Sequence, residues 1–161
     1  MRRLALLLTA LALAGCGGSS AQTTTTNAAA PPGPGTTLYA GGDWAVVLDG
    51  DQATAFHKAA GTWKADTSAA VKIAILGPHP GGTVAAIPQL AAELSAKKPL
   101  IESGMWVDGN EMTVKGGGLT PTKGTIYGAP GAPLTKGKHV AVAYARTAEH
   151  ATAVAWSFRV G

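Results

Sequence analysis

An all-β protein is the fold class that this sequence predicts, and three features predict it. The last stretch alternates strictly, with Val154, Trp156, Phe158 and Val160 on one side and Ala155, Ser157 and Arg159 on the other. Val71, Ile73 and Ile75 alternate with Lys72 and Ala74, and β-branched residues suit a pleated, half-buried surface. Asp49-Gly50 and Asp108-Gly109 each separate two short apolar runs, which is a strong short-range hairpin signal.

The first segment is of another kind. Met1-Arg2-Arg3 is a cationic start, and Leu4 to Ala14 is an uncharged run rich in Leu and Ala. A run of this length suits the apolar part of a signal peptide; crossing a bilayer takes about 20 apolar residues. Leu13-Ala14-Gly15-Cys16 resembles the lipobox of bacterial lipoproteins. The resemblance implies cleavage between Gly15 and Cys16, diacylglycerol on the Cys16 sulfur, and often a further acyl chain (palmitate or similar) on the new amino terminus. One acyl chain holds a protein only marginally, at about 0.8 kcal/mol per buried CH₂, so two or three make a durable anchor. Cys16 is the only cysteine, so no intrachain disulfide staples the fold.

Residues 1–15 are therefore expected as a lipoprotein signal peptide, and 16–37 as a lipidated cysteine with a disordered linker. Gly17 to Thr37 carries no charge and is built of Gly, Ser, Thr, Ala and Pro with few large apolar residues. As a mixed coil it spans about 25 Å, more where the prolines stiffen it. The Thr23 to Thr26 run allows a glycosylated stalk as an alternative. The full chain has 13 Lys+Arg against 9 Asp+Glu, and Arg2 and Arg3 would leave with the signal. Such a mild excess, without a basic cluster beyond Lys97-Lys98, gives no reason to expect nucleic acid as a partner.

Residues 38–77 read as a β-rich N-terminal subdomain, a hairpin or meander. Trp44, Val46 and Leu48 share a face, Asp49-Gly50 turns the chain, and Thr54 and Phe56 alternate on the return. Gly61 precedes a third strand at Thr62-Trp63-Lys64, and Ala69 to Leu76 is a fourth. Asp49 and Asp51 flank a glycine but lack the further oxygen ligands of a calcium loop. Gly77-Pro78-His79-Pro80-Gly81-Gly82 then breaks the chain, and the subdomain joint is expected there.

Residues 78–161 hold the most regular patterns. Met105-Trp106-Val107 and Glu111 to Val114 form a hairpin around Asp108-Gly109, and Thr125-Ile126-Tyr127 is a short strand. Gly116-Gly117-Gly118 reads as a mobile joint, because the Lys-Ser/Thr pair and helix of a phosphate loop do not follow. Pro88 to Lys98 is ambiguous: its composition is helical, while Leu90, Ala92 and Leu94 also fit one face of a strand. From His139 to Arg146, Val140, Val142 and Tyr144 lie on one face and Ala141, Ala143 and Ala145 on the other. Neither face is polar, so this strand is expected to be covered on both sides, with 38–77 as the second cover.

Asp108-Gly109 after Trp106-Val107, the turn from Pro133-Leu134 to Gly137-Lys138-His139, and the closing Trp156-Ser157-Phe158-Arg159-Val160 are similar to bacterial Ig-like domains. The resemblance covers about 78–161. It implies an Ig-like Greek-key β-sandwich with Trp156, Phe158 and Val160 inside, preceded by the β-rich addition. It also implies a spacing, adhesion or binding role. It implies a strand for Pro88 to Lys98. The acidic residue expected near the end of the penultimate strand is Thr147 here, so no calcium site carries over.

Chemistry offers less. His57, His79, His139 and His150 are scattered without metal-ligand spacing, so no metal site and no cofactor is nominated. No nucleophile elbow occurs, and no catalytic residue is nominated. Trp63 and Trp106 sit beside turns and, with Tyr144, are the candidate exposed aromatic contacts. The expectation is a non-enzymatic lipoprotein, held at the cell membrane through Cys16 and facing the extracytoplasmic side. Its expected partner is an envelope protein or cell-wall polymer. The alternative is an extracytoplasmic ligand- or metal-handling protein.

Overall fold

A computed structural model describes residues 34–161. All of their regular structure is β. The first sheet is a meander, β1 (Thr36–Gly41), β2 (Trp44–Asp49), β3 (Gln52–Ala59) and β4 (Thr62–Ala65), each strand pairing with the next. The remaining strands are β5 (Val71–Gly77), β6 (Thr83–Val84), β7 (Leu90–Ala96), β8 (Glu102–Val107), β9 (Asn110–Glu111), β10 (Lys115–Thr120), β11 (Lys123–Gly128), β12 (Gly137–Arg146) and β13 (Ala151–Val160). They form two sheets, one ordered β10-β11-β7-β5 and the other β6-β13-β12-β8-β9. With β5, β7, β11 and β10 as strands A, B, E and D, and β8, β12 and β13 as C, F and G, this is the strand order of an Ig-like Greek-key sandwich.

The sheet that contains β12 is the middle layer of three. On one side Ala141, Ala143, Ala145, Met105, Val107, Trp156, Phe158 and Val160 pack against Val71, Leu90, Ala92, Leu94 and Ile126 of the opposing sheet. On the other side Trp106, Val142, Tyr144 and Ala151 pack against Trp44, Val46 and Ala55 of the meander. Ala141, Val142, Ala143, Tyr144 and Ala145 are each at most 1 % exposed, so the strand is covered on both faces. Alanines on the sandwich side admit the opposing sheet closely, and the larger residues on the other side fill the space under the meander. Each large apolar side chain so buried contributes about 1.5–3 kcal/mol.

Several boundaries differ from expectation. Pro88 to Lys98 contains strand β7, and the helical composition does not prevail, because both neighbours in the sheet bond to it. β5 pairs with β7, so it is strand A of the sandwich and not part of the 38–77 subdomain. The division between meander and sandwich lies between Ala65 and Val71. The Gly77–Gly82 break is real, but it carries the chain from one sheet of the sandwich to the other: Gly81 donates to the Ser157 carbonyl and Arg159 to that of Gly82. Proline and glycine mark a change of direction without saying whether a domain ends there. Gly116 to Gly118, expected as a joint, lies within the edge strand β10, and a Cβ on Gly117 would sit 3.3 Å from the Tyr127 ring. β1 starts at Thr36, two residues inside the expected linker. On β3 Ala53 and Ala55 face the sandwich, because the register sets them opposite Leu48 and Val46, and Thr54 and Phe56 alternate on the other face.

The β8–β9 turn is tied to the corner before β12. Asp108 and Gly109 both have positive φ, 49° and 82°, as a two-residue type I′ hairpin turn requires. Asp108 Oδ1 accepts from the Val140 N–H at 2.9 Å, and Oδ2 lies 2.6 Å from His139 Nδ1. His139 Nε2 lies 2.7 Å from the Thr135 carbonyl. Both ring nitrogens face oxygen acceptors, so the doubly protonated ring satisfies both. The hydrogen bond to Asp108 raises the His139 pKa above the usual value; burial opposes this, and the Thr135 carbonyl adds to it. In many Ig-like domains a tyrosine at this corner bonds back to the backbone. Here a histidine fills that place.

Two outcomes follow for stability. The His139 contribution is complete below about pH 6.5, the ordinary histidine value, and is lost as pH rises through its raised value. Asp108→Asn keeps a residue that tolerates positive φ but removes the charge. It should cost about 1 kcal/mol, a drop of about 3–5 °C in Tm, and should flatten the fall in Tm above pH 6.5. An unchanged pH profile of Tm in scanning calorimetry would refute the assignment. Tyr144 has a buried hydroxyl with no partner among the described residues, and burial pushes its pKa up. Tyr144→Phe should therefore leave urea stability unchanged or raise it by about 1 kcal/mol; a loss above that would show the hydroxyl to be satisfied.

Candidate functional site

The site is built at the end of the molecule where the meander, the segment 66–70 and the β12–β13 loop meet. Thr147 shapes that loop. Its backbone N–H donates to the His150 carbonyl at 2.8 Å, and its hydroxyl accepts from the His150 N–H at 3.0 Å. The residue that stands where an acidic group was expected is thus a turn former, 1 % exposed. The loop is pinned outward by Lys98 Nζ on Glu149 Oε1 at 2.5 Å.

Asp66 joins the pieces. Its Oδ1 accepts from the Ser68 N–H at 2.9 Å, and its Oδ2 from the Ala151 N–H at 2.8 Å. His150 Nδ1 stands 3.4 Å from the same Oδ2. Burial pushes the Asp66 carboxyl up, but the N–H donors of Ala151 and Ser68 and the nearby His150 outweigh it, and its pKa lies below the usual range. From the meander, register sets His57 opposite both Trp44 and Lys64. The His57 ring stacks on Trp44 with centroids 4.2 Å apart. His57, Lys64, Asp66, Thr67, Ser68, Glu149 and His150 line an open cleft of about 350 Å³.

A second polar group closes the seam between meander and sandwich. The Tyr39 hydroxyl donates to Glu102 Oε1 at 2.6 Å, and Arg146 Nε donates to Glu102 Oε2. The Arg146 guanidinium lies 5.7 Å from the centre of the Trp44 ring. Burial and then the Glu102 carboxylate push the Tyr39 pKa up to about 12. The Tyr39 phenol is thus a structural donor. Glu102, Arg146, Trp44 and His57 form a continuous run from the seam to the cleft.

The nominated residues fall elsewhere. Gly15 and Cys16 lie outside the described residues, as does the expected signal peptide. The three candidate exposed aromatics are buried: Trp63 is 9 % exposed, Trp106 2 % and Tyr144 1 %. Trp106 lies in β8, whose register sets it beside Val142, and Gly104 leaves room for its ring; a Cβ there would stand 2.7 Å away. Trp63 lies across from Lys58, whose ammonium stands 5.6 Å from the centre of its ring. Tyr144 faces the meander. His139 is used in the corner, while His57 and His150 share the cleft. Of the carboxylates, Glu93 faces Lys123 at 3.4 Å, Glu102 holds Arg146 and Asp108 holds His139. Among the described residues no group of three metal-type ligands gathers. The cleft had no sequence signature because its histidines come from distant parts of the chain; only the short apolar runs around each were legible.

No family model matches the chain, and no curated protein matches it. Among solved structures it is similar to a titin–obscurin-like 1 Ig complex at 15% identity. That match covers 56% of this chain and 95% of the other, with a TM-score of 0.36. A titin tandem of Ig domains is similar at 7% identity, over 73% of this chain and 60% of the other, with a TM-score of 0.35. The strand order, not these scores, carries the Ig-like assignment.

Asp66→Ala leaves the Ala151 N–H without its acceptor. It should destabilise the protein by about 2 kcal/mol in urea denaturation, and a change within 0.5 kcal/mol would show the tie to be dispensable. Because the Asp66 pKa is depressed, its contribution is present above about pH 3.9 and is lost as pH falls through the folded value.

Proposed function

We propose that this chain is a membrane-anchored extracytoplasmic lipoprotein and works as a non-enzymatic binding module of the cell envelope. One observation carries the reading. The chain enters the body at the end opposite the cleft. Thr36 pairs with Leu48 at one end of the meander, while Gly41 and Trp44 pair at the other, beside His57. Leu38 lies next to Gly109 of the β8–β9 turn, at the far end of the sandwich from the β12–β13 loop. Ten-residue strands such as β12 span about 33 Å. A tether attached through Cys16 would enter at one end and leave the cleft and the loops 97–101 and 147–150 roughly 30 Å beyond it, facing outward.

The interior placement of the tryptophans fits the same role. Trp44, Trp106 and Trp156 give their area to cohesion, so recognition falls to loops and to the polar cleft. An envelope protein or cell-wall polymer is the partner that such a position offers. The ligand-handling reading is favoured by one specific observation, the meeting of His57 and His150 at one cleft; a metal-handling reading has no comparable support.

Cys16→Ser tests the anchor. The wild-type chain should fractionate with membranes and take up labelled palmitate, and the variant should do neither. Equal membrane fractionation and equal labelling of the two forms would defeat the reading.

A further inference from the structure

The cleft between the meander and the β12–β13 loop has an uneven balance of satisfied and unsatisfied groups. Its two acids are engaged. Asp66 receives two backbone N–H donors and is 8 % exposed at its side chain, and Glu149 holds Lys98 at 2.5 Å. Its donors are not engaged in the same way. Lys64 is exposed and, among the described residues, makes no ion pair. His57 stacks on Trp44 through its face, a contact that does not use its ring nitrogens. His150 turns Nδ1 to Asp66, so Nε2 remains available. His57 and Lys64 come from adjacent strands of the meander and His150 from the β12–β13 loop, and they line one cleft of about 350 Å³.

We infer that this cleft binds an oxyanion, the carboxylate or phosphate group of a larger ligand. Lys64 supplies the cation, His57 supplies an N–H donor from one wall, and His150, whose doubly protonated ring faces Asp66 with Nδ1, supplies its Nε2–H from the other. Charge-assisted hydrogen bonds of this kind are about twice as strong as neutral ones. The same acids that could repel the anion are held by their own partners: Asp66 by backbone donors and Glu149 by Lys98. Lys58, paired with Trp63, lies on the other face of the meander from His57 and Lys64 and does not line the cleft. Because the cleft is walled by both the meander and the sandwich, a bound anion would also join the two layers. This deepens the binding-module reading and rests on it, but it is independent of lipidation at Cys16.

The experiment uses the full mature chain with Cys16→Ser, titrated with sodium phosphate and, separately, sodium acetate. Sodium chloride at matched ionic strength is the control. Side-chain imidazole signals of His57 and His150 and the backbone amides of Ser68 and Ala151 are followed by NMR. Local, saturable shifts with phosphate or acetate but not chloride are expected, and whichever of the two saturates at lower concentration identifies the anion class. Lys64→Ala should weaken the apparent affinity at least about 5-fold, as should His150→Gln, while Lys136→Ala leaves it unchanged. Absence of saturable shifts, equal shifts with chloride, or equal loss in Lys136→Ala would overturn the inference. Capture of an envelope partner by the wild-type chain, unaffected by Lys64→Ala, would defeat the oxyanion site and leave the binding-module reading standing.

Discussion

The structure depends on one strand being dry on both sides. Strand β12 sits in the middle of the middle sheet, and Ala141 to Ala145 have almost no contact with solvent. In an ordinary antiparallel sandwich, one face of such a strand would meet water and carry polar residues. Here both faces are apolar, and a cover is needed on each. The opposing sandwich sheet supplies one and the meander β1–β4 supplies the other. The meander is therefore a structural necessity of this sequence and not an appended module. Without it, Val142, Tyr144 and Trp106 would form an exposed apolar patch.

The polar groups follow from the same arrangement. Joining a third layer to a sandwich brings backbone ends and charged side chains together at the seam, where they need partners. Glu102 meets this need for Tyr39 and Arg146. Asp66 meets it for Ser68 and Ala151. Within the sandwich itself, Asp108 does the same for His139 and Val140. With a single cysteine in the chain, cohesion rests on these ties and on the two apolar layers.

The sequence made the layers legible and the site illegible. Alternation in Val154 to Val160 and the doubly apolar His139 to Arg146 foretold the buried sides of β13 and β12, because period-2 patterning is a direct imprint of a sheet face. The hairpin steps foretold the turns at Gly50 and Asp108, since positive φ restricts the residues allowed there. Where burial depends on what lies across from a strand, local signals failed. Trp106 stands beside a turn and yet faces the meander. β5 follows the meander in sequence and yet hydrogen-bonds to β7. The cleft was invisible for the same reason: His57 and His150 share no pattern, and only the packing of β3 near β13 brings them together.

The position of β1 has a mechanical consequence. The chain enters β1 at its outer end and runs inward along the length of β2. A pull applied through residue 34 while the far end is held acts along the strand axis. Hydrogen bonds between antiparallel strands lie across that axis, so the β1–β2 ladder takes the load in shear, sharing it over many bonds instead of opening them one by one. A body built in this way is suited to bear tension applied along β1.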